Sequence, residues 1–183
     1  MVLRKLIFQP NYAFTYVFAM FSIGRCLNPI YESPMPYISY NSPVGPISIF
    51  QEDDHIVAVD WGWTPSEEPT PLLEEARDQL LAYFNRTLTR FDLPFKPHGT
   101  PFQIKVWKAL SDIPLGKVET YGALAAGLDT HPRPVGQALG RNPIPILIPC
   151  HRVIATGGGL GGYSGIDGIE TKRFLLNLEG VKS

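Results

Sequence analysis

The sequence predicts an α+β fold, in which a small antiparallel sheet with one helix precedes a mostly helical half that contains a helix-turn-helix. Three observations support this prediction. Short apolar segments alternate with turn residues between residues 37 and 61, which is typical of strands joined by tight turns. Apolar side chains recur at helical spacing after residue 71 and again after residue 100. Two short helical segments separated by a tight turn follow residue 120.

The first half contains the predicted sheet. Strands are expected at Tyr37–Tyr40, Ile47–Phe50 and Ile56–Trp61, because polar and Pro-containing turn segments separate them. The Pro-rich stretch 64–71 predicts a loop. A helix is predicted over 72–88, with acidic residues in its first turn and one apolar face.

The second half opens with a clear helix start. Thr100 as the N-cap, Pro101 at the first helical position and Gln103 at the third form a capping box. The apolar stripe that follows predicts a helix packed on the core, which favours Trp107 as a core residue over a stacking platform.

The remaining helices are shorter. Thr120 is placed to cap a helix over 121–127, and a further helix is expected over 133–139. This spacing is typical of a helix-turn-helix, although on sequence alone the signal is weak. A final helix is predicted over 171–179, with Gly180 as its stop.

Charge is distributed unevenly, although the net charge is only −1. Residues 1–100 contain seven basic and eleven acidic residues, a net −4. Residues 101–183 contain nine basic and six acidic residues, a net +3. A basic excess in the second half is expected if that half contacts phosphates.

The cysteine and histidine content argues against disulfides and metals. Cys26 and Cys150 lie far apart and form no disulfide framework, which is consistent with a reducing compartment. There is no Cys-x-x-Cys motif, the four histidines are scattered, and no metal site is predicted. The glycines over 157–162 are not followed by Gly-Lys-Ser/Thr, so they are not a phosphate-binding loop.

The run Ile148-Pro149-Cys150-His151-Arg152-Val153 is the most informative feature of the chain. A thiol is a useful nucleophile as its thiolate, and a basic or cationic neighbour favours that form. His151 and Arg152 place such groups beside the sulfur in sequence. Without its surroundings, however, a Cys-His pair is better explained by a small buried apolar cysteine at a strand end.

The surroundings contain an ordered set of motifs. They are Thr100-Pro101-Phe102-Gln103, Val106-Trp107-Lys108-Ala109-Leu110, Ile113-Pro114-Leu115-Gly116-Lys117-Val118, Thr120-Tyr121-Gly122, Arg133-Pro134-Val135-Gly136, Arg141-Asn142-Pro143, Pro149-Cys150-His151-Arg152-Val153, Gly162-Tyr163-Ser164-Gly165 and the tail 172–180. With them the chain resembles the O6-alkylguanine-DNA alkyltransferases, which are direct-reversal DNA repair proteins. Residues 40–61 resemble the family's N-terminal domain more weakly, and the resemblance implies a ribonuclease H-like fold there.

The resemblance implies a reaction. An alkyl group would pass irreversibly from O6 of guanine in duplex DNA to the sulfur of Cys150, once per protein molecule, after the base is flipped out of the helix. No cofactor is implied. Some family members hold a structural zinc, for which this chain has no complete ligand set. The preferred alkyl size and repair of O4-methylthymine stay open.

The resemblance also assigns catalytic roles. His151 resembles the general base that acts on the thiol through a water, and Glu179 the carboxylate that orients it. Asn142 resembles the side chain that ties the helix-turn-helix to the active-site turn. Tyr121 resembles the tyrosine that crowds a DNA phosphate and donates toward a guanine ring nitrogen. Judged from the residues alone, Glu179 would be a solvated residue at the end of a helix, and Asn142 would serve to form the turn before Pro143.

DNA contacts are implied for the second helix of the motif, which in this family enters the minor groove. Arg133 resembles the arginine that fills the space left by the flipped base. The further implied DNA contacts are Tyr121, Gly136, Gln137 and Ala138. The implied alkylguanine pocket consists of Pro149, Val153, Gly158, Tyr163 and Ser164. Two departures from the family pattern are Pro134, where alanine is usual, and the longer stretch 166–169.

Four segments are expected along the chain: an N-terminal extension over 1–36, an α/β domain over 37–92, a linker over 93–99 and an alkyl-acceptor domain over 100–183. Three interpretations of the extension remain open: a family-specific extension, an over-long gene start, or a targeting segment. The first two are favoured because secretion conflicts with DNA repair. A monomer without membrane attachment is expected in the cytoplasm or nucleoid, or in the nucleus of a eukaryote.

Two other functions compete with repair. A lesion-binding protein without transfer activity is disfavoured because such relatives replace the cysteine, which this chain retains as Cys150. A thiol hydrolase with a Cys-His-Glu triad would leave the helix-turn-helix and Arg133 without a purpose.

Overall fold

The computed structural model describes residues 35–182. Its first three elements are antiparallel strands. They are β1 (Tyr37–Ser42), β2 (Gly45–Glu52) and β3 (His55–Trp61), paired in the order β1-β2-β3. The three predicted strands are confirmed, and each is longer than predicted. The predictions for residues 1–34, including Cys26, lie outside the described residues.

Helix α1 (Pro71–Phe84) packs its apolar face against this sheet. The Thr70 side chain accepts a hydrogen bond from the Leu73 amide and caps the helix start. The helix was predicted to continue to Leu88 and instead ends at Phe84. Arg86 adopts a left-handed φ of 59°. The amides of Thr87 and Leu88 both donate to the Ala82 carbonyl, and the helix therefore ends early.

Helix α2 (Pro101–Ser111) begins with the predicted capping box. The Thr100 hydroxyl accepts from the Gln103 amide, and the Gln103 side chain accepts from the Thr100 amide. Trp107 is 2% exposed, and its indole Nε1 donates to the Ala138 carbonyl at 2.9 Å. Trp107 is therefore a core residue, as predicted, that joins α2 to the helix-turn-helix.

The helix-turn-helix consists of α3 (Tyr121–Gly127), capped by Thr120, and α4 (Pro132–Leu139). Helix α4 begins one residue before the prediction, because Pro132 occupies its first position, where a missing amide proton costs nothing. Before α3, the two-residue strand β4 (Glu119–Thr120) pairs in parallel with β5 (Val153–Ile154). This pairing brings the start of the motif beside the segment that follows Cys150.

The last helix, α5 (Ile169–Leu178), begins two residues before the prediction and has Glu179 as its C-cap. Gly180 follows with a φ of 83°, the left-handed conformation that glycine adopts easily after a helix. One apolar cluster runs from the sheet through the helices to this element. At one edge of it, the Val59 amide of β3 donates to the Pro143 carbonyl at 2.8 Å. The predicted fold class is confirmed.

Within residues 35–182, no helix has both the length and the apolar character that crossing a membrane requires.

Substituting Thr100→Ala is expected to lower the free energy of unfolding by about 1 kcal/mol, because the Gln103 amide loses its acceptor. Urea denaturation would measure the loss. The matched control is Ser111→Ala on the same helix, whose hydroxyl bonds only the helix's own Trp107 carbonyl, and whose stability should stay within about 0.5 kcal/mol of the parent. Equal losses in the two variants would contradict the assigned capping contribution.

Candidate active site

Cys150 lies in a one-turn 3-10 helix, Cys150–Arg152, at the end of a buried segment. The thiol residue is 4% exposed, and all residues over 144–149 are buried. Within that segment Ile146 has a φ of 70°, a conformation that is strained for a β-branched side chain. Such strain persists when the surrounding packing imposes it, and Ile146 is fully buried. The cysteine is therefore held on a rigid turn.

Asn142 clamps this turn from the end of the helix-turn-helix. Its side-chain nitrogen donates to the Ile148 carbonyl at 2.8 Å, and its oxygen accepts from the Ile144 amide at 3.1 Å. Both bonds are buried, and they add to the backbone hydrogen bond that the Cys150 amide donates to the same Ile148 carbonyl. The side chain thus links the end of α4 to the residue two positions before Cys150.

Glu179 is buried and ionic rather than solvated. One of its oxygens, Oε1, lies 2.8 Å from His151 Nε2. Arg152 donates to both carboxylate oxygens, from Nε to Oε2 and from Nη2 to Oε1, each at 2.9 Å. A fourth donor is Tyr83 of α1, whose hydroxyl lies 2.8 Å from Oε1. The predicted His151–Glu179 pair is thus part of a larger network.

The network determines the protonation states. Burial alone would raise the pKa of Glu179, but hydrogen bonds from His151 and Arg152 lower it to about 2. Burial lowers the pKa of His151 despite the neighbouring carboxylate. Because an ionised carboxylate accepts hydrogen bonds only, His151 Nε2 carries the ring proton. Its other nitrogen, Nδ1, is buried, has no bonded partner among the described residues, and is free to accept a proton.

The thiol is not activated by a direct cationic contact. Burial raises the pKa of Cys150, while the Asn142 side chain and the charge of Lys172 act in the opposite direction. Arg152, adjacent in sequence, directs its guanidinium to Glu179 and to the Ile113 carbonyl instead. Arg152, although it lies beside the sulfur in sequence, therefore does not contact it with its guanidinium. At neutral pH the thiol keeps its proton and needs a base to remove it.

Lys172 is a buried cation on α5. Its Nζ donates to the Val153 and Leu160 carbonyls, each at 2.5 Å, and lies 5.9 Å from the centre of the Tyr121 ring. Burial lowers its pKa to about 8, and the nearby Cys150 opposes that shift. The lysine holds the strand after Cys150 to the glycine-rich loop and supplies positive charge near the sulfur.

A cavity of about 410 Å³ opens onto Cys150. Its lining residues are Tyr121, Gly136, Leu139, Gly140, Cys150, Gly162, Tyr163 and Ser164. The Trp61 ring of β3 packs edge-on against the Tyr163 ring, with centroids 6.3 Å apart. Within residues 35–182, no group of three or more His, Cys, Asp or Glu side chains is arranged to hold a metal ion. The cavity therefore offers a thiol, two tyrosines and small residues.

Two family models match this chain. Residues 35–97 match the ribonuclease-like domain of 6-O-methylguanine DNA methyltransferase, and residues 101–181 match its DNA-binding domain. The chain belongs to the 6-O-methylguanine DNA methyltransferase family. The resemblance found in the sequence motifs is thereby confirmed.

Individual members of the 6-O-methylguanine DNA methyltransferase family are similar over most of the chain. The methylated-DNA–protein-cysteine methyltransferase of Methanosarcina acetivorans is 40% identical over 159 residues, covering 80% of this chain and 99% of the relative. The constitutive enzyme of Bacillus subtilis is 41% identical over 158 residues, covering 79% and 95%. The crystal structure of Mycobacterium tuberculosis OGT in complex with DNA has a TM-score of 0.72 at 40% identity, covering 80% and 95%.

The structure brings together most of the residues that the motifs singled out for this family. Tyr121, Gly136, Tyr163 and Ser164 line the cavity with Cys150. Arg133 and Gln137 are exposed on α4 beside it. Four residues lie elsewhere. Ala138 faces the core, Pro149 and Val153 are buried and do not line the cavity, and Gly158 is exposed on a turn away from it.

Two residues of the network, and the partner of a third, were missed in the sequence. Lys172 and Tyr83 lie on the apolar faces of their helices, where a polar side chain needs a buried partner, and that placement was a usable signal. The pairing of Arg152 with Glu179 spans 27 positions and left no local trace.

Acid is expected to destabilise the protein in two stages. His151 has a folded-state pKa below its ordinary 6.5, so the unfolded chain takes up a proton first and stability falls as the pH drops below about 6.5. Glu179 has a folded pKa of about 2 against an ordinary 4.5, so its contribution is lost between these values. Urea denaturation at a series of pH values measures both stages.

The variant His151→Gln should show a smaller loss of stability between about pH 6.5 and 4.5, and it should keep the part of the loss below pH 4.5 that the Arg152 hydrogen bonds to Glu179 cause. A wild-type free energy of unfolding that stays constant from pH 7 to pH 5 would contradict the assigned neutral state of the buried histidine.

Proposed function

We propose that this protein repairs DNA by transferring a methyl group from O6 of guanine to the sulfur of Cys150. The observation that carries the proposal is a buried thiol that opens onto a cavity and lies beside a neutral histidine fixed by an ionised carboxylate. This arrangement supplies a nucleophile, a base and an orienting group. The relatives named above as methyltransferases support the same activity.

The chemistry balances without a cofactor. The proton of the Cys150 thiol passes to Nδ1 of His151 through a bound water, and Glu179 stabilises the resulting imidazolium. The sulfur attacks the methyl carbon as the bond from that carbon to O6 breaks. The electron pair stays on the guanine, which becomes neutral by gaining a proton. The product thioether has no good leaving group, so each molecule reacts once.

Tyr121 donates that proton toward a guanine ring nitrogen. Burial raises the pKa of its hydroxyl, so the hydroxyl is protonated at neutral pH and can donate. The charge of Lys172, over the Tyr121 ring, favours the ionised state that donation would produce. Tyr121 lines the cavity together with Cys150, as this role requires.

The proposed DNA surface is the exposed side of α4 beside the cavity. Gly136 and Gly140 line the cavity and leave room for a close approach of DNA, while Arg133 and Gln137 are exposed. A sulfur inside a protein reaches O6 when the base has left the stack, at a cost of a few kcal/mol. Arg133 would occupy the vacated space from the minor groove. The DNA complex of the Mycobacterium tuberculosis relative supports DNA as the partner.

The flipped base would lie against Tyr163 and Ser164 in the cavity. Val153 would contribute backbone contacts to the same base, and Pro149 and Gly158 stay predicted members of the pocket, although none of the three lines the cavity. The two family models meet between residues 97 and 101, which supports a domain boundary at the end of the linker expected over 93–99. We also propose that the protein is a monomer and that it acts where chromosomal DNA lies.

The first test is intact-mass spectrometry after incubation with a duplex that contains one O6-methylguanine. One added methyl group per chain is expected, mapped to the Cys150 peptide, and absent in Cys150→Ser. Tight binding to the lesion without a mass change would leave a recognition protein, and repeated turnover of an ester substrate would indicate a thiol hydrolase.

Arg133→Ala is expected to slow methyl transfer from duplex DNA by roughly 10- to 100-fold, because the flipped state loses the side chain that fills the helix. Transfer from a short single-stranded oligonucleotide, whose base needs no unstacking, should change much less. Single-turnover rates on the two substrates give the comparison.

The control for that experiment is Arg77→Ala, a half-buried arginine paired with Asp78 on α1, which should leave both rates unchanged. Equal slowing of Arg133→Ala on duplex and single-stranded substrates would show that Arg133 does not act through base flipping.

A further inference from the structure

Tyr83 lies far from Cys150 in sequence and reaches its network in space. It belongs to α1, which packs on the N-terminal sheet, and the residue is 2% exposed. Its hydroxyl donates to Glu179 Oε1 at 2.8 Å across 96 positions of sequence. Its ring is fixed by Phe84 and Phe91, each with a ring centroid 5.4 Å away. The hydroxyl is therefore held rigidly against the carboxylate.

The oxygen that Tyr83 contacts is the one that contacts His151. Oε1 of Glu179 receives Tyr83 Oη at 2.8 Å, His151 Nε2 at 2.8 Å and Arg152 Nη2 at 2.9 Å. An oxygen that accepts from three donors is restricted in its orientation, and its negative charge is divided among the three hydrogen bonds. Tyr83 thereby acts on the position of Oε1 and on how strongly Oε1 attracts the histidine proton.

We propose that Tyr83 is a positioning residue for methyl transfer, which holds Glu179 Oε1 on the Nε2–H side of His151 and limits the proton affinity of the ring. The proposal rests on the proposed function of His151 as the proton acceptor. The hydroxyl touches neither the thiol nor the cavity, so its effect passes through Glu179.

Other charged and titratable groups face His151 and Glu179, and they stay in place when the Tyr83 hydroxyl is removed. They are Arg152, Lys172, Cys150 and Tyr163. Arg152 keeps the carboxylate ionised through its two hydrogen bonds. Removing the Tyr83 hydroxyl takes away a neutral donor and leaves the carboxylate charged. Oε1 of Glu179 then attracts the His151 proton more strongly.

The test is Tyr83→Phe, which removes the hydroxyl and keeps the packed ring. The titration of His151 is followed by NMR of ring-labelled histidine in the free protein, and the single-turnover methyl-transfer rate is measured against pH. The His151 pKa is expected to rise by about 0.5 to 1. The acid limb of the rate profile should move to higher pH with it, and the plateau rate should fall several-fold because Oε1 is less well oriented.

Tyr40→Phe is the matched control. Tyr40 is a buried tyrosine of β1 whose hydroxyl has no bonded partner among the described residues. Its removal should leave both the His151 titration and the rate profile unchanged. A merely structural role of Tyr83 would lower the melting temperature and leave the titration as in wild type, which would overturn the proposal.

The two measurements separate the proposals. The NMR titration needs no DNA, so an absent shift in Tyr83→Phe overturns the positioning role whatever the activity. A wild-type protein that does not methylate Cys150 overturns the proposed function instead, and it is detected before any variant is compared.

Discussion

The buried carboxylate of Glu179 is the constraint on which the site depends. An isolated charge of this kind is strongly unfavourable in a protein interior unless donors surround it. Here Tyr83, His151 and Arg152 donate at 2.8–2.9 Å, and the Gly116 amide donates at 3.3 Å. These donors come from α1, from the turn after α2 and from the cysteine turn. Satisfying one charge therefore fixes the relative positions of several distant segments.

The burial that makes the charged network energetically unfavourable also sets the protonation states that the proposed reaction needs. Burial raises the pKa of the Cys150 thiol and lowers that of the His151 ring, so both are neutral before reaction. In the proposed reaction, proton transfer creates an ion pair whose positive member, the His151 ring, lies against a carboxylate that is already ionised. The charge that develops during reaction meets groups that need no rearrangement.

The turn that carries the cysteine shows how packing and reactivity are joined. Ile146 holds a left-handed conformation that its side chain disfavours, and Asn142 supplies the hydrogen bonds that the distorted backbone needs. The cavity in front of the thiol is shaped by both halves of the chain. Trp61, from the sheet, supports Tyr163, and Gly136, from the helix-turn-helix, leaves open space. The sheet thus contributes to the site without entering it.

Local sequence determined most of the helices and strands, and the ordered set of motifs pointed to Cys150 as the proposed nucleophile. The capping box at Thr100 and the cap at Thr120 were readable because their hydrogen bonds join residues three positions apart. Tertiary structure alone decided that α1 ends early, that Arg152 turns from the sulfur to Glu179, that Lys172 and Tyr83 join the network, and that Val153 and Gly158 stay off the cavity wall. These outcomes depend on burial and on partners up to 96 residues away, and periodicity and local spacing do not encode such long-range contacts.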